Sequence, residues 1–297
     1  MNNCCLAELS GVTKRFGRIT ALDQFDFEVR YGEVVAVLGP NGAGKTTAIS
    51  LLLGLQQPDS GSARLFGQSP NRVEARRQVG VMMQEAALAP ELRVCEQIDL
   101  VASYYPNPLT PKHALEMTRT SPLGRRPYDK LSAGQKRQVQ FALSLVGRPR
   151  LLFLDEPTVG LDIQSREMVW ATVRQLVGDG CSVVLTTHYL EEAEALADRV
   201  AVLAKGRLVA TGTVGEIRGL VVRKRITCRT TLSCEQVAGF PDVQTVTFDK
   251  HGLRITASNT ESVVRHLLAA DLDLQDLEVQ QAGLAEAFTE LTQESVK

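Results

Sequence analysis

The chain has 297 residues, and its 33 Lys and Arg residues against 34 Asp and Glu residues give a formal net charge of -1. This balance excludes a global basic field of the kind that makes nucleic acid or anionic lipid the main partner. A chain of this length can hold a domain of about 200 residues and a smaller second one. No uncharged apolar run approaches the roughly 20 residues of a spanning helix, and residues 1–5 lack a secretion signal, so we expect a cytoplasmic chain.

The first thirty residues predict antiparallel strands. Apolar and polar positions alternate from Ala7 to Val29, with a turn signal at residues 16–18. The run Val34–Leu38 that follows is apolar throughout and predicts a buried strand.

A glycine-rich loop with the pattern G-x-x-x-x-G-K-T separates this strand from the apolar segment 48–53, which predicts a helix. Glycines let successive backbone N–H groups point inward, and the helix N-terminus adds its positive dipole end toward a bound phosphate. The lysine of the pattern reaches the outer phosphates, and the first threonine can ligate Mg²⁺. A tight turn without a ligand is the simpler alternative, but the full pattern between strand and helix favours nucleotide binding. The loop consists of Gly39, Pro40, Asn41, Gly42, Ala43, Gly44, Lys45, Thr46 and Thr47.

Three further apolar runs, at residues 151–154, 182–186 and 200–203, predict buried parallel strands, because helical patterns such as Ile163 to Val177 separate them. Prolines 106, 108, 111, 122 and 127 break the stretch 104–129, so only short helices can form there.

Two carboxylates, Asp155 and Glu156, follow the run 151–154 directly. Ligands in open α/β sheets bind at the carboxyl ends of strands, where Asp155 can hold Mg²⁺ and Glu156 can polarise water. A cap for the next helix is the alternative for an isolated acidic pair. Together with the phosphate loop, the pair favours catalysis.

The segment Leu131-Ser132-Ala133-Gly134-Gln135 resembles the signature motif of ATP-binding cassette (ABC) ATPases. This motif begins a helix, and the helix N-terminus attracts a phosphate. The Ser132 hydroxyl caps the helix, and Gly134 permits close approach to a γ-phosphate. In the family, Ser132, Gly134 and Gln135 would contact ATP on the opposite subunit. The motif differs from the usual Leu-Ser-Gly-Gly-Gln at Ala133, a good helix former.

Four more residues match positions of the same family. Phe16 resembles the aromatic residue that stacks on adenine. Gln84 resembles the Q-loop glutamine that senses Mg²⁺ and the γ-phosphate. Asp162 resembles the D-loop residue that bridges the two sites, and His188 resembles the switch histidine that contacts the γ-phosphate.

The resemblance covers residues 6–215 and implies an α/β P-loop fold, the ABC cassette, with a mixed sheet core, an antiparallel β subdomain and a helical subdomain at about 86–148. Strand-like segments at 226–228 and 243–248 and a helical one at 261–270 predict a small accessory α/β domain over residues 222–297. The tail Leu284–Thr292 resembles the end of ABC ATPases that serve drug, antibiotic and polysaccharide exporters.

The resemblance implies an ATPase with Lys45, Gln84, Glu156 and His188 as catalytic residues and Thr46, Gln84 and Asp155 as metal ligands. ATP and Mg²⁺ would be bound between the subunits of a homodimer. An integral-membrane permease is the implied partner, with the ATPase peripheral on the cytoplasmic face of the membrane and no direct nucleic-acid contact.

Two alternatives remain. One is an ABC ATPase that acts on ribosomes or DNA, although ribosome-acting members usually carry two cassettes and chromosome-associated ones a long coiled coil, and neither feature occurs here. The other is an importer ATPase with a regulatory C-terminal domain, which the tail motif disfavours.

Overall fold

The computed structural model describes residues 5–84, 86–220, 224–249, 252–280 and 284–294. They divide into two compact units, one comprising the residues up to Val214 together with those from Leu291, and the other Gly215–Glu290. This division puts residues 215–219 with the second unit and the chain from Leu291 with the first, whereas the sequence suggested one accessory domain over 222–297. The functional domain assignment stays a prediction.

The predicted hairpin at the start of the chain is confirmed, and it forms an antiparallel sheet with a later strand. Because the chain turns at Gly17, with φ +58°, residue 16 pairs with residue 19. The strand order in this sheet is β2-β1-β4. Its strands are β1 (Cys5–Phe16), β2 (Ile19–Arg30) and β4 (Ser60–Leu65).

The second sheet of this unit has six strands in the order β5-β6-β7-β3-β8-β9. The first five are mutually parallel, and the last is antiparallel to its neighbour. The predicted parallel strands are therefore confirmed, and every residue of β3, β6 and β7 is buried. The strands are β3 (Val34–Leu38), β5 (Val79–Met82), β6 (Leu151–Asp155), β7 (Ser182–Thr186), β8 (Arg199–Ala204) and β9 (Arg207–Gly212).

Helices connect these strands, and the proline-broken segment forms short ones, as expected. Within it the chain makes 3₁₀ turns at Ser121–Leu123 and Tyr128–Lys130. No helix within the described ranges combines the length and apolarity needed to cross a membrane. The helices are α1 (Lys45–Leu52), α2 (Val73–Arg76), α3 (Val94–Ala102), α4 (Pro111–Met117), α5 (Ala133–Leu145), α6 (Ile163–Gly178) and α7 (Leu190–Leu196). Helix α8 (Val214–Gly219) follows β9, and all of it except its first residue belongs to the second unit.

The second unit has the element order βαββαβ and an antiparallel sheet with the strand order β11-β12-β10-β13, which is the ferredoxin-like arrangement. Its own hydrophobic core includes Ile226, Ile255 and Leu267. The predicted strands and helix are present, with two strands and one helix in addition. The elements are β10 (Lys224–Arg229), α9 (Cys234–Ala238), β11 (Val243–Asp249), β12 (Gly252–Ala257), α10 (Thr260–Ala270) and β13 (Gln275–Gln280); α11 (Leu284–Glu294) follows them.

Candidate active site

Four parallel neighbouring strands end at one edge of the six-stranded sheet, and a predicted site residue follows each. The phosphate loop follows β3, Asp155 ends β6 and Glu156 comes directly after it, His188 follows β7, and Gln84 follows β5. The pairing of residue 155 with residue 186 aligns the ends of β6 and β7. The sheet therefore places residues from four distant parts of the sequence at the same edge.

The phosphate loop requires its glycines. Gly44 has φ +108°, and a Cβ on it would lie 2.6 Å from the carbonyl oxygen of Ala21. A Cβ on Gly39 would lie 2.6 Å from the carbonyl oxygen of Leu203. Because α1 begins at Lys45 with Gly44 as its N-cap, the backbone of the loop leads directly into a helix N-terminus that favours anions.

Lys45 is only 8% exposed, and its Nζ donates hydrogen bonds to the carbonyl oxygens of Gly39 at 2.6 Å and Pro40 at 3.2 Å. Burial lowers the pKa of Lys45, while the carboxylates of Glu156 and Asp155 act in the opposite direction. These three predicted site residues are thus electrostatically coupled.

Asp155 is buried at the end of β6, and its Oδ1 accepts a hydrogen bond from the hydroxyl of Thr186. Its Oδ2 is also buried and has no hydrogen-bond partner in the structure. An unpaired buried carboxylate oxygen is costly unless a cation or donor meets it. This oxygen beside the phosphate loop fits an oxygen-ligated cation such as Mg²⁺.

Glu156 has φ +50°, a left-handed conformation that non-glycine residues rarely adopt. Its backbone N–H donates to the carbonyl oxygen of Thr186 at 3.0 Å, which ties the residue to the end of β7. Its Oε1 lies 3.1 Å from Nδ1 of His188. The His188 ring in turn packs on the ring of Tyr189, with the centroids 4.2 Å apart. The predicted base and the predicted switch histidine are therefore in direct contact.

The signature residues form the start of α5. The Ser132 hydroxyl caps the helix by accepting from the backbone N–H of Gln135 at 3.2 Å, and Oε1 of Gln135 accepts from the Ser132 N–H at 3.2 Å. Ser132 keeps its own hydroxyl proton for a further acceptor. Ala133 is the first residue of the helix, so this departure from the usual motif is accommodated by helical backbone.

Comparison with known proteins identifies the family. The family described as ABC transporter matches residues 22–159. The chain is 36% identical over 299 residues to the daunorubicin resistance ATP-binding protein DrrA3 of Streptomyces coeruleorubidus, and the alignment covers 96% of this chain and 95% of the relative. The chain belongs to the ABC transporter family.

Two further similarities support membership. The chain is 38% identical over 219 residues to the Nod factor export ATP-binding protein I of Ralstonia nicotianae, which covers 71% of this chain and 68% of the relative. A solved dimeric ATP-binding cassette in a post-hydrolysis state bound to ADP and Pi is 25% identical, with a TM-score of 0.65 over 70% of this chain and 98% of that one. The predicted fold class and family are confirmed, and the chain is an ATPase that energises an ABC transporter.

Two residues that the ABC resemblance predicted as site residues have local partners within the chain. Asp162 caps α6, accepting from the backbone N–H of Ser165 at 2.8 Å and from its hydroxyl at 2.9 Å, which lowers the pKa of Asp162. Phe16 is 46% exposed at the end of β1, and Nζ of Lys14 lies 5.6 Å from its ring centroid. Their roles toward ATP stay predictions, as do those of the other site residues.

Sequence reasoning missed two residues at this edge of the ABC cassette. Thr186 contacts both Asp155 and Glu156, and Arg137 donates to the backbone carbonyls of the same two residues. The available signal for Thr186 was a polar residue directly after the apolar stretch 183–185, at the end of a predicted strand. Nothing in the sequence indicated the contacts of Arg137, because its acceptors are backbone atoms.

Proposed function

We propose that two copies of this chain bind ATP between them and hydrolyse it to drive export through an integral-membrane permease, at the cytoplasmic face of the membrane. The alignment with DrrA3 carries the proposal, since that relative is named for drug resistance and the similarity runs over 96% of this chain. The relative named for Nod factor export supports the same direction.

In the proposed mechanism the loop Gly39–Thr47 holds the phosphates of ATP with its backbone N–H groups and the start of α1. Lys45 supplies positive charge at the outer phosphates. Its Nζ already lies among carbonyl oxygens of the same loop, so the charge is held inside the phosphate site. These interactions orient the nucleotide and stabilise the charge that develops during transfer.

Glu156 orients the attacking water and accepts its proton. The water oxygen bonds to the γ-phosphorus while the bond from that phosphorus to the ADP oxygen breaks, and ADP leaves with the electron pair. His188, 3.1 Å from the Glu156 carboxylate, contacts the transferred phosphoryl group and stabilises its charge. Through this contact, the Glu156 and His188 side chains hold each other in position.

Thr46, Asp155 and Gln84 hold Mg²⁺ in this proposal. The unpaired, buried Oδ2 of Asp155 and the hydroxyl of Thr46 provide the oxygen donors that this ion prefers. When bound, Mg²⁺ neutralises charge on the β- and γ-phosphates. Gln84 senses whether Mg²⁺ is bound and passes this signal to the helical segment that follows it.

The signature residues Ser132, Gly134 and Gln135 complete the site of the partner copy. Their helix N-terminus and the free hydroxyl proton of Ser132 suit a γ-phosphate. Asp162 lies between the two sites, and Phe16 stacks on adenine. One phosphate loop and one signature per chain then yield two ATP sites per dimer.

A mixed-subunit experiment tests the composite site. Lys45→Ala and Ser132→Arg chains should each be inactive alone. A verified heterodimer has one intact site, formed by Lys45 of one copy and Ser132 of the other, so ATPase activity should return. Absence of recovery in verified mixed dimers would exclude a site shared in this way.

Export itself can be tested in cells that express this chain together with a candidate integral-membrane permease. Accumulation of a panel of fluorescent drugs, daunorubicin included, should fall with the active chain and not with Glu156→Gln. ATP-dependent accumulation above the Glu156→Gln level would instead assign import.

A further inference from the structure

Arg137 connects three segments of the candidate active site. It lies on α5, five residues after Ser132, and is 8% exposed. Its Nη1 donates to the carbonyl oxygens of Met83 and Gln84, both at 3.0 Å. Its Nη2 donates to the carbonyl oxygens of Asp155 and Glu156. One guanidinium thus connects the signature helix, the segment after β5 and the end of β6.

The buried surroundings of Arg137 disfavour its positive charge. Burial lowers the pKa of Arg137, and the carboxylates of Asp155, Glu156 and Glu192 act against that shift. Its Nε is buried without a hydrogen-bond partner. Its guanidinium supplies the donors for four backbone carbonyl oxygens, which a buried apolar residue of similar volume would leave without partners. Packing alone therefore does not explain an arginine here. Its two terminal nitrogens, Nη1 and Nη2, each donate to one pair of the four carbonyl oxygens.

The hydrogen bonds of Arg137 help to fix the backbone conformation of Glu156. A left-handed non-glycine residue persists where its surroundings fix it, and Glu156 is held on both sides. Thr186 accepts from its N–H, and Arg137 donates to its carbonyl oxygen. The direction of the Glu156 side chain toward His188 follows from this fixed backbone.

We propose that Arg137 is a positioning residue for hydrolysis. It holds the backbone of Glu156 in the conformation that directs the carboxylate to the attacking water, and it ties that backbone to Gln84 and to the signature helix. Because Ser132 and Arg137 lie on one helix, a displacement of the signature reaches both segments. The proposal rests on the catalytic role proposed above for Glu156.

The test compares Arg137→Lys and Arg137→Gln in the full-length protein with the wild type. For each we would measure the affinity for ATP with a fluorescent ATP analogue, kcat and KM for ATP, and thermal unfolding. Affinity measured without Mg²⁺ should stay unchanged, because the phosphate loop is untouched and the proposed metal ligands Asp155 and Gln84, whose backbones Arg137 contacts, take no part in that measurement. In Arg137→Gln, kcat should fall on the order of 10²-fold, as expected for a displaced catalytic group. Arg137→Lys should lose less, since it keeps the charge and can still donate to one pair of carbonyl oxygens.

Ser144→Ala provides the matched control. Ser144 is buried on the same helix, and its hydroxyl donates to the carbonyl oxygen of Phe141 at 2.7 Å, away from the strand ends. Removing this bond perturbs α5 without touching the site, so kcat should stay at the wild-type value even if the unfolding temperature falls.

Three results would overturn the positioning role. Folded Arg137→Gln with wild-type kcat would make the contacts irrelevant to hydrolysis. A parallel loss of ATP affinity, kcat and stability, or failure of both variants to fold, would assign Arg137 to the fold alone. Glu156→Gln is measured in the same experiment. Full activity of Glu156→Gln would refute the proposed base. An inactive Glu156→Gln together with fully active Arg137 variants would refute only the positioning role.

Discussion

Oε1 of Glu156 and Nδ1 of His188 are 3.1 Å apart, although the two residues follow different strands and are separated by 32 positions. The contact exists because β6 and β7 are parallel neighbours with residue 155 opposite residue 186. Glu156 is mostly shielded, with 14% of its side chain exposed, whereas 48% of the His188 side chain is exposed. A shielded carboxylate beside a reachable imidazole is the arrangement expected of a base and a residue that meets the incoming phosphate.

Glu156→Gln should bind ATP normally and hydrolyse it slower by about 10²–10⁴-fold, because the amide keeps the shape but cannot accept the proton. The closed dimer with ATP should therefore accumulate. Initial rates of phosphate release and the dimer fraction by light scattering measure both effects. Glu191→Gln is the matched control, since its side chain is 81% exposed on α7. Near wild-type rates in purified Glu156→Gln would refute the assignment.

Lys45→Met should lose ATP affinity on the order of 10–10²-fold, because it removes a hydrogen bond to a charged group worth about 1.5–3 kcal/mol. Methionine keeps the length of the buried stem, so folding should survive. Lys112→Met, at a side chain that is 86% exposed on α4, should bind ATP like the wild type. Equilibrium titration with a fluorescent ATP analogue distinguishes the two variants. Equal affinities would show that Lys45 does not meet the phosphates.

The sequence predicted the elements whose signal is local and strong. Val34–Leu38 and the run 151–154 are apolar throughout because both faces of a central parallel strand are covered. The phosphate loop was recognisable because Gly44 must adopt φ +108° next to a backbone carbonyl. Such constraints act on residue type directly, so they can be read without a structure.

Other features depend on contacts between distant residues, which no local sequence pattern indicates. Strand β13 alternates polar and apolar residues weakly, and its place beside β10 follows only from the βαββαβ topology. Arg137 binds four backbone carbonyls, and any residue type can provide a carbonyl. The contact of Glu156 with His188 likewise requires knowing which strands are neighbours. Motif resemblance supplied both residues but not their distance.

Asp271 gives the second unit a defined dependence on pH. Its Oδ2 accepts from the hydroxyl of Thr230 at 2.5 Å and from the backbone N–H of Thr231 at 2.7 Å, and its Oδ1 accepts from the N–H of Asp273 at 3.0 Å. These bonds lower the pKa of Asp271 to about 2, below the value of about 3.9 for an unfolded chain. A lowered pKa stabilises the fold above about pH 4, and this contribution disappears as the pH falls toward 2.

Asp271→Asn should therefore lower the urea midpoint of the second unit at pH 7, and the difference from the wild type should shrink as the pH falls below 4. Circular dichroism during urea unfolding at several pH values measures this. Asp273→Asn changes a neighbouring exposed carboxylate and serves as the control. A difference that is the same at pH 3 and pH 7 would show that the charge of Asp271 contributes nothing.

The two units have separate hydrophobic cores, one formed by residues between Leu6 and Leu208 and the other by residues between Ile226 and Leu277. A chain ending at Gly219 should therefore keep the first core intact, fold, and bind ATP, because every residue assigned to the nucleotide precedes that point. It also loses the residues from Leu291, which belong to the first unit, so its unfolding temperature should fall modestly. If the second unit supports the dimer, the dimer fraction and export should fall while ATP affinity stays constant. ATP titration, light scattering and drug accumulation on the same preparation separate these effects. An unfolded product, or one that does not bind ATP, would make the second unit part of the cassette fold.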